Sequence, residues 1–381
     1  MPTFNNSYII TNRQTPSATS YDNIVPLSGG EMWFYTAPKP YDAEVSDYAS
    51  CTTQPQTAAP QNFLDALTAD LNLQGANPQL TILIHGLGNV FSDAIALLSR
   101  AGKGLATYGK YPGLVIAFDW PSYDEFDSGL DYASSADYPP TATSGTIRDN
   151  INGTTAAFVN LLAMLTELQG KIPTLDVNVL CHSEGNYMFM LGNYVAATQQ
   201  QSFNFAQTLM LAADVNNGVF QTVGLNDGYT GRGVDISNHS ARVTVYYSSN
   251  DTVLSGAETT YESYHDEKYY GRLGQAGPVN YLTGDLVANA IGLDCSAVVN
   301  ALATQHIVPP TVTLHSSYFY IPQVLADLAA TLNGSASGTI ANRESAGAQN
   351  GNQYLMLLDS SSEAKQSARA ANRTGAGRQM P

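Results

Sequence analysis

Residues 177–186 constrain this chain more than any other stretch. The run Val177-Asn178-Val179-Leu180 breaks at Cys181-His182-Ser183-Glu184-Gly185, and an apolar segment of helical length follows over residues 187–197. This pattern predicts a buried strand, a sharp turn and a helix. A serine on such a turn is held in a strained backbone conformation, with its hydroxyl lifted clear of the sheet. Small residues are needed two before and two after the serine, because strand and helix approach closely there. Gly185 fits the second place, and Cys181 fills the first, where glycine is usual. An ordinary strand-to-helix turn would read the same way, so the rest of the chain must supply what such a serine needs.

The surrounding pattern predicts the sheet. Leu80-Thr81-Ile82-Leu83-Ile84 and Leu114-Val115-Ile116-Ala117-Phe118 are apolar runs of the kind buried on both faces of a sheet. Residues 8–12, 31–36, 208–212 and 242–248 read as further strands. Helical spacing appears over residues 61–72 (Phe63, Leu64, Leu67, Leu71), 91–107 and 145–169, and residues 282–303 and those from His315 to about Leu332 also read as helical. Strands alternating with helices predict an α/β fold, with a mainly parallel central sheet covered by helices on both faces. One domain is expected over residues 1–335, with lid or pocket insertions at 123–144 and 218–240. Residues 336–381 read as a weakly ordered Gly/Ala/Ser-rich tail that docks through an apolar patch at 354–358.

Composition narrows the partners. Of 381 residues, 44% are hydrophobic and 13% charged, enough for a sizeable core. The net charge of −16, from 32 acidic and 16 basic residues, argues against nucleic acid or an anionic membrane surface as the main partner. Three cysteines, Cys51, Cys181 and Cys295, make no disulfide framework, although a Cys51–Cys295 bridge stays open. The N-terminus lacks the basic start and apolar core of a signal peptide, and no apolar run approaches the ~20 residues of a membrane span. A soluble protein is expected, cytoplasmic rather than secreted, with its oligomeric state unreadable. The sequence has no HExxH, no P-loop and no GxGxxG after a strand, so no metal or cofactor is expected. His265-Asp266-Glu267 reads as a solvated charged turn.

In a sheet of this kind, ligands bind beyond the carboxyl ends of the strands. His85, Asp119, Ser183, Asp214 and Asp251 all follow predicted strands, and His315 can reach the same rim. A serine hydroxyl needs a base to take its proton, and the base needs a carboxylate to hold its tautomer. Ser183, Asp251 and His315 occur in the chain order of serine hydrolases built on such sheets. Asp214 is the rival acid. Each residue also has a plainer reading: Asp251 as a helix N-cap, His315 as a local hydrogen bonder at a helix start, Asp214 as a cap for the residues after it. The backbone N–H groups of Glu184 and Leu87 are the expected oxyanion donors, and Gly86 and Gly88 let the Leu87 turn come close. His85 reads as structural across its loop, and His182 as packed and facing away. His85, Gly86, Trp120 and Tyr123 are pocket candidates, with core packing as the alternative for Trp120. The Glu184 side chain lines the pocket or is exposed.

Together these features predict an α/β-hydrolase fold and a serine hydrolase acting on a small-molecule substrate. An amidase, peptidase or acyltransferase on the same fold, or a non-catalytic binding protein, are the alternatives. Several motifs in order resemble the DUF900 family of bacterial α/β-hydrolases, whose members are esterase- or lipase-like. They are Tyr8-Ile-Ile-Thr-Asn-Arg13, Ile84-His-Gly-Leu-Gly-Asn89, Asp119-Trp-Pro-Ser122, His182-Ser-Glu-Gly-Asn186, Ala212-Ala-Asp-Val-Asn216, Asp251, Arg272-Leu-Gly274 with Gly277-Pro278, and His315-Ser316. The resemblance implies a carboxylic-ester hydrolase acting on a small-molecule or lipid-like ester. It puts the family's serine on Ser183, its acid on Asp251 and its histidine on His315. The chain departs from the family pattern at Cys181, at the His-Gly-Leu-Gly-Asn turn and over 123–144, which leaves the substrate undefined.

Overall fold

A computed structural model of the chain describes residues 4, 6–14, 26–38, 56–122, 147–221, 232–256, 271–278, 287–304, 308, 312–346 and 352–359. Its strands are β1 (Asn6–Thr11), β2 (Trp33–Pro38), β3 (Gln56–Ala58), β4 (Gln79–Ile84), β5 (Leu114–Asp119), β6 (Asp176–His182), β7 (Gln207–Leu211), β8 (Val243–Tyr247), β9 (Ala290–Asp294), β10 (Arg343–Ser345) and β11 (Gln353–Met356). The helices are α1 (Pro60–Asn72), α2 (Phe91–Gly109), α3 (Ile147–Lys171), α4 (Gly185–Thr198), α5 (Arg232–Asn238), α6 (Leu273–Ala276), α7 (Ser296–Thr304) and α8 (Pro322–Leu332).

Among the described residues the eleven strands form one sheet, in the order β10-β11-β9-β8-β7-β6-β4-β5-β1-β2-β3. From β1 across to β11 every pairing is parallel; β2, β3 and β10 add antiparallel edges. Alternation along each strand sends side chains to both faces. On β4, Leu80, Ile82 and Ile84 pack on one face with Phe63 and Leu67 of α1, Phe158 and Leu162 of α3 and Phe189 of α4. Leu83 packs on the other face with Leu98 and Leu105 of α2 and Leu325 and Leu328 of α8. The strands feed their helices from one rim, so β4, β5, β6, β7 and β8 deliver His85, Asp119, Ser183, Asp214 and Asp251 to the same end of the sheet.

Two expectations are corrected. Residues 282–303 are not one helix: their described part holds β9, then α7. The apolar spacing of Val287, Ile291 and Leu293 with a mid-strand Gly292 mimics a helix, but open slots beside β8 and β11 make it a strand. Nor does the sheet end at residue 335. Tyr354 and Leu355 of the expected docking patch lie in β11, paired with β9, and β10 closes the edge. A buried ion pair anchors this extension: Arg343 donates to both Asp327 oxygens, at 2.7 and 2.6 Å, and Asp327 also accepts from the Tyr246 hydroxyl at 2.7 Å. No local apolar pattern announces such a bond. Residues 123–144, 222–231 and 360–381, including parts of the expected insertions and tail, lie outside the described residues.

Candidate active site

Ser183 sits between β6 and α4 with φ of 56°, a left-handed conformation that a non-glycine residue holds only at a cost of roughly 1–3 kcal/mol. Its surroundings hold it there. Its N–H donates to the Leu211 carbonyl at 3.0 Å, and its carbonyl accepts from Asn186 Nδ2 at 2.9 Å and from the Asp214 N–H at 3.3 Å. The small residues are required by contact: a Cβ on Gly185 would lie 2.4 Å from the His85 carbonyl oxygen, and one on Gly86 would lie 2.5 Å from Ser183 Cβ. Cys181 is fully buried as a free thiol, and burial raises its pKa.

His315 lies on the 3-10 turn Leu314–Phe319, ahead of α8. Its Nδ1–H donates to Asp251 Oδ2 at 2.7 Å. The other oxygen, Oδ1, accepts from the N–H groups of Val253 and Leu254, both at 3.1 Å. Asp251 is therefore a helix cap and the partner of His315 at once. Among the described residues no hydrogen bond joins the Ser183 hydroxyl to His315. The two are connected through His182, which was expected to face away. Its Nε2–H donates to the His315 carbonyl at 2.9 Å, and its ring packs against those of His315 and Phe319, with centroids 4.9 and 5.4 Å away. Burial, and then the neighbouring His315, pull its pKa down to about 3, so it stays neutral. Only the return of a residue 133 positions later reveals this contact.

The His85–Asn89 turn rests on a closed polar assembly. Asp119 accepts from Arg13 Nε at 2.8 Å, Arg13 Nη2 at 2.9 Å, His85 Nε2 at 2.8 Å and Thr11 Oγ1 at 2.6 Å. Arg13 also donates to the carbonyls of Asn89 and Trp120, both at 2.7 Å. Burial alone would raise the Asp119 pKa, but Arg13 and His85 outweigh it and hold the carboxyl well below the usual range. His85 and Trp120, expected as pocket candidates, are 1% and 0% exposed and stacked on each other, with Trp120 Nε1 donating to the His85 carbonyl at 2.8 Å. Both stand behind the turn, because their polar atoms need these buried partners. Among the described residues, neither the Leu87 nor the Glu184 backbone N–H has a hydrogen-bond partner. Tyr123 lies outside the described residues.

On the other flank, the Arg272–Gly274 strap lies on the chain after β7: the Leu273 N–H donates to Val215 O and the Gly274 N–H to Ala213 O, both at 2.8 Å. Arg272 Nε comes within 3.2 Å of Asp214 Oδ1, yet neither Asp214 oxygen accepts a well-directed hydrogen bond. The contact is one of charge more than of hydrogen bonding. Asp214, the rival acid, thus faces Arg272 rather than bonding His315. Burial raises its pKa against the pull of Arg272. Glu184 is 3% exposed, and burial pushes its carboxyl up to about 7, again with Arg272 opposing.

Among the described residues, no cluster of three or more His, Cys, Asp or Glu side chains could hold a metal ion, and no helix is long and apolar enough to cross a membrane. A family model described as an alpha/beta hydrolase of unknown function (DUF900) matches residues 62–279, more than half of the chain. No curated protein matches it. Among solved structures, it is similar to a hyperthermophilic esterase from the archaeon Pyrobaculum calidifontis, at 10% identity and TM-score 0.36, covering 87% of this chain and 84% of that one. A hormone-sensitive lipase from a metagenome library is 10% identical, with TM-score 0.34 and coverage of 81% and 84%. One of two fungal esterases from Rhizomucor miehei is 11% identical, with TM-score 0.36 and coverage of 81% and 82%. At such scores these likenesses carry no functional weight.

Proposed function

Because this chain belongs to the DUF900 family of alpha/beta hydrolases, we propose that it is a serine hydrolase that cleaves carboxylic esters through an acyl-enzyme. The fold is that of an alpha/beta hydrolase. The observation that carries the activity is the pairing of a strained Ser183, at φ 56°, with an Asp251–His315 hydrogen bond of 2.7 Å at the same rim.

In this reading Ser183 Oγ attacks the ester carbonyl, and His315 Nε2 takes the proton. Asp251 holds the Nδ1–H tautomer and stabilises the imidazolium that forms. The Leu87 and Glu184 N–H groups, without partners among the described residues, donate to the oxyanion of the tetrahedral intermediate. Collapse expels the alcohol, which takes the proton back from His315. Water then attacks the acyl-enzyme by the same route and releases the acid. The Ser183–His315 hydrogen bond forms as substrate binds, as such contacts tighten in the Michaelis complex.

The test is a fluorophosphonate probe together with p-nitrophenyl esters of graded acyl length, set beside peptide amides. Labelling at Ser183, ester turnover, and a loss of roughly ten-thousand-fold in kcat for Asp251→Asn are expected. A folded protein whose Ser183 stays unlabelled and which turns over no ester would end this reading. Amide cleavage faster than ester cleavage would move it to an amidase.

A further inference from the structure

We infer that His182 is a positioning residue for the reaction, a neutral clamp that sets the distance between Ser183 and His315. The inference rests on the reading that these two residues act together.

Among the described residues, two hydrogen bonds tie the turn Leu314–Phe319 to other elements: His315 Nδ1 to Asp251, and the His315 carbonyl to His182. They do different work. The Asp251 bond orients the imidazole about its own bonds. The His182 bond holds the main chain from which that side chain pivots. Because His182 is covalently joined to Ser183, this one hydrogen bond connects the backbone of the nucleophile to that of the base, across a separation of 133 residues from the end of β6. The rings of His315 and Phe319, packed on the His182 ring, fix the rotamer from which Nε2 reaches the carbonyl.

The clamp also has to be uncharged. A carbonyl needs a donor, which an ionised Asp or Glu cannot supply. A cationic donor 4.9 Å from the His315 ring would oppose the imidazolium that proton transfer creates. A buried imidazole carrying its hydrogen on Nε2 donates without charge. Glutamine is the nearest substitute, with an N–H at comparable reach.

Two variants separate positioning from packing. His182→Phe keeps the ring contacts and removes the donor; His182→Gln keeps a neutral donor and loses the ring. If His182 positions the base, His182→Phe lowers kcat for a short p-nitrophenyl ester about 10- to 100-fold with KM within about threefold, and His182→Gln restores most of it, because small misplacements at a reacting pair are costly. His182→Phe, folded and with kcat within about twofold of the parent, would overturn the inference, as would His182→Gln being no better than His182→Phe. If His182→Phe does not fold, His182→Asn, whose amide falls short of the carbonyl, must show the same kcat loss relative to His182→Gln; equal rates overturn it. Should the parent protein itself show neither turnover nor Ser183 labelling, the proposed activity fails instead, and that result is distinct from any of these.

Discussion

Two buried arginine–carboxylate assemblies flank Ser183, and they behave in opposite ways. On one side, Asp119 accepts four hydrogen bonds from Arg13, His85 and Thr11, and its carboxyl stays ionised far into acid. On the other, Arg272 approaches Asp214 at 3.2 Å without filling its lone pairs, and burial wins at both Asp214 and Glu184. Burial penalises every charge, so the hydrogen bonds decide whether a buried carboxylate stays one. The first assembly is a scaffold that holds the turn carrying Leu87. The second is a titratable group next to Ser183.

The largest effect that would break this contrast is Asp119→Ala. It leaves the Arg13 guanidinium buried without its partner, and urea unfolding is expected to show a loss of about 3–5 kcal/mol. A loss below ~1 kcal/mol would mean the assembly is not the scaffold described. Next comes the pH response, where the two sides have opposite signs. Asp119, held low, contributes stability above its ordinary range that fades as pH falls. Glu184, raised from 4.5 to about 7, contributes stability below its ordinary value that is lost as pH rises towards neutrality. At about 1.4 kcal/mol per pKa unit that loss is roughly 3 kcal/mol, and Glu184→Gln should flatten the stability–pH curve between 4.5 and about 7. An unchanged slope would remove Glu184 from the account.

Smaller effects sharpen the comparison. Gly86→Ala puts a Cβ 2.5 Å from Ser183 Cβ, so about 1–3 kcal/mol of stability and a fall in fluorophosphonate labelling rate are expected on the scaffold side. Arg272→Met should cost less, about 1–2 kcal/mol, because Asp214 and Glu184 can each take up a proton when the positive charge leaves. Infrared carboxyl bands should then show both more protonated at neutral pH. A loss as large as that of Asp119→Ala would mean that both flanks are equally locked.

Short-range pattern was enough for much of this. The apolar runs of β4, β5 and β6 read as buried strands, and the elbow read as strand, turn and helix, because each is decided by neighbours in sequence. His85 lies on the turn that the sequence pattern gave it, and there its ring bonds Asp119. The misses share one cause. β9 looked helical because its strand character depends on β8 and β11, and the tail looked loose because Arg343 finds Asp327 only in the folded protein. His182 looked like packing because its partner is a main-chain carbonyl, to which no residue type gives a clue.

The sequence by itself determined the parallel-sheet class, the serine on its turn and the chain order of Ser183, Asp251 and His315. Alternation, small-residue spacing and residue chemistry are local properties, and they survive without any knowledge of contacts. Only the tertiary structure decided that Asp251 rather than Asp214 bonds His315, that His182 joins the serine to the histidine's backbone, and that Asp119 is locked while Glu184 titrates. Those outcomes turn on hydrogen-bond geometry and depth of burial, which exist only once distant segments have packed.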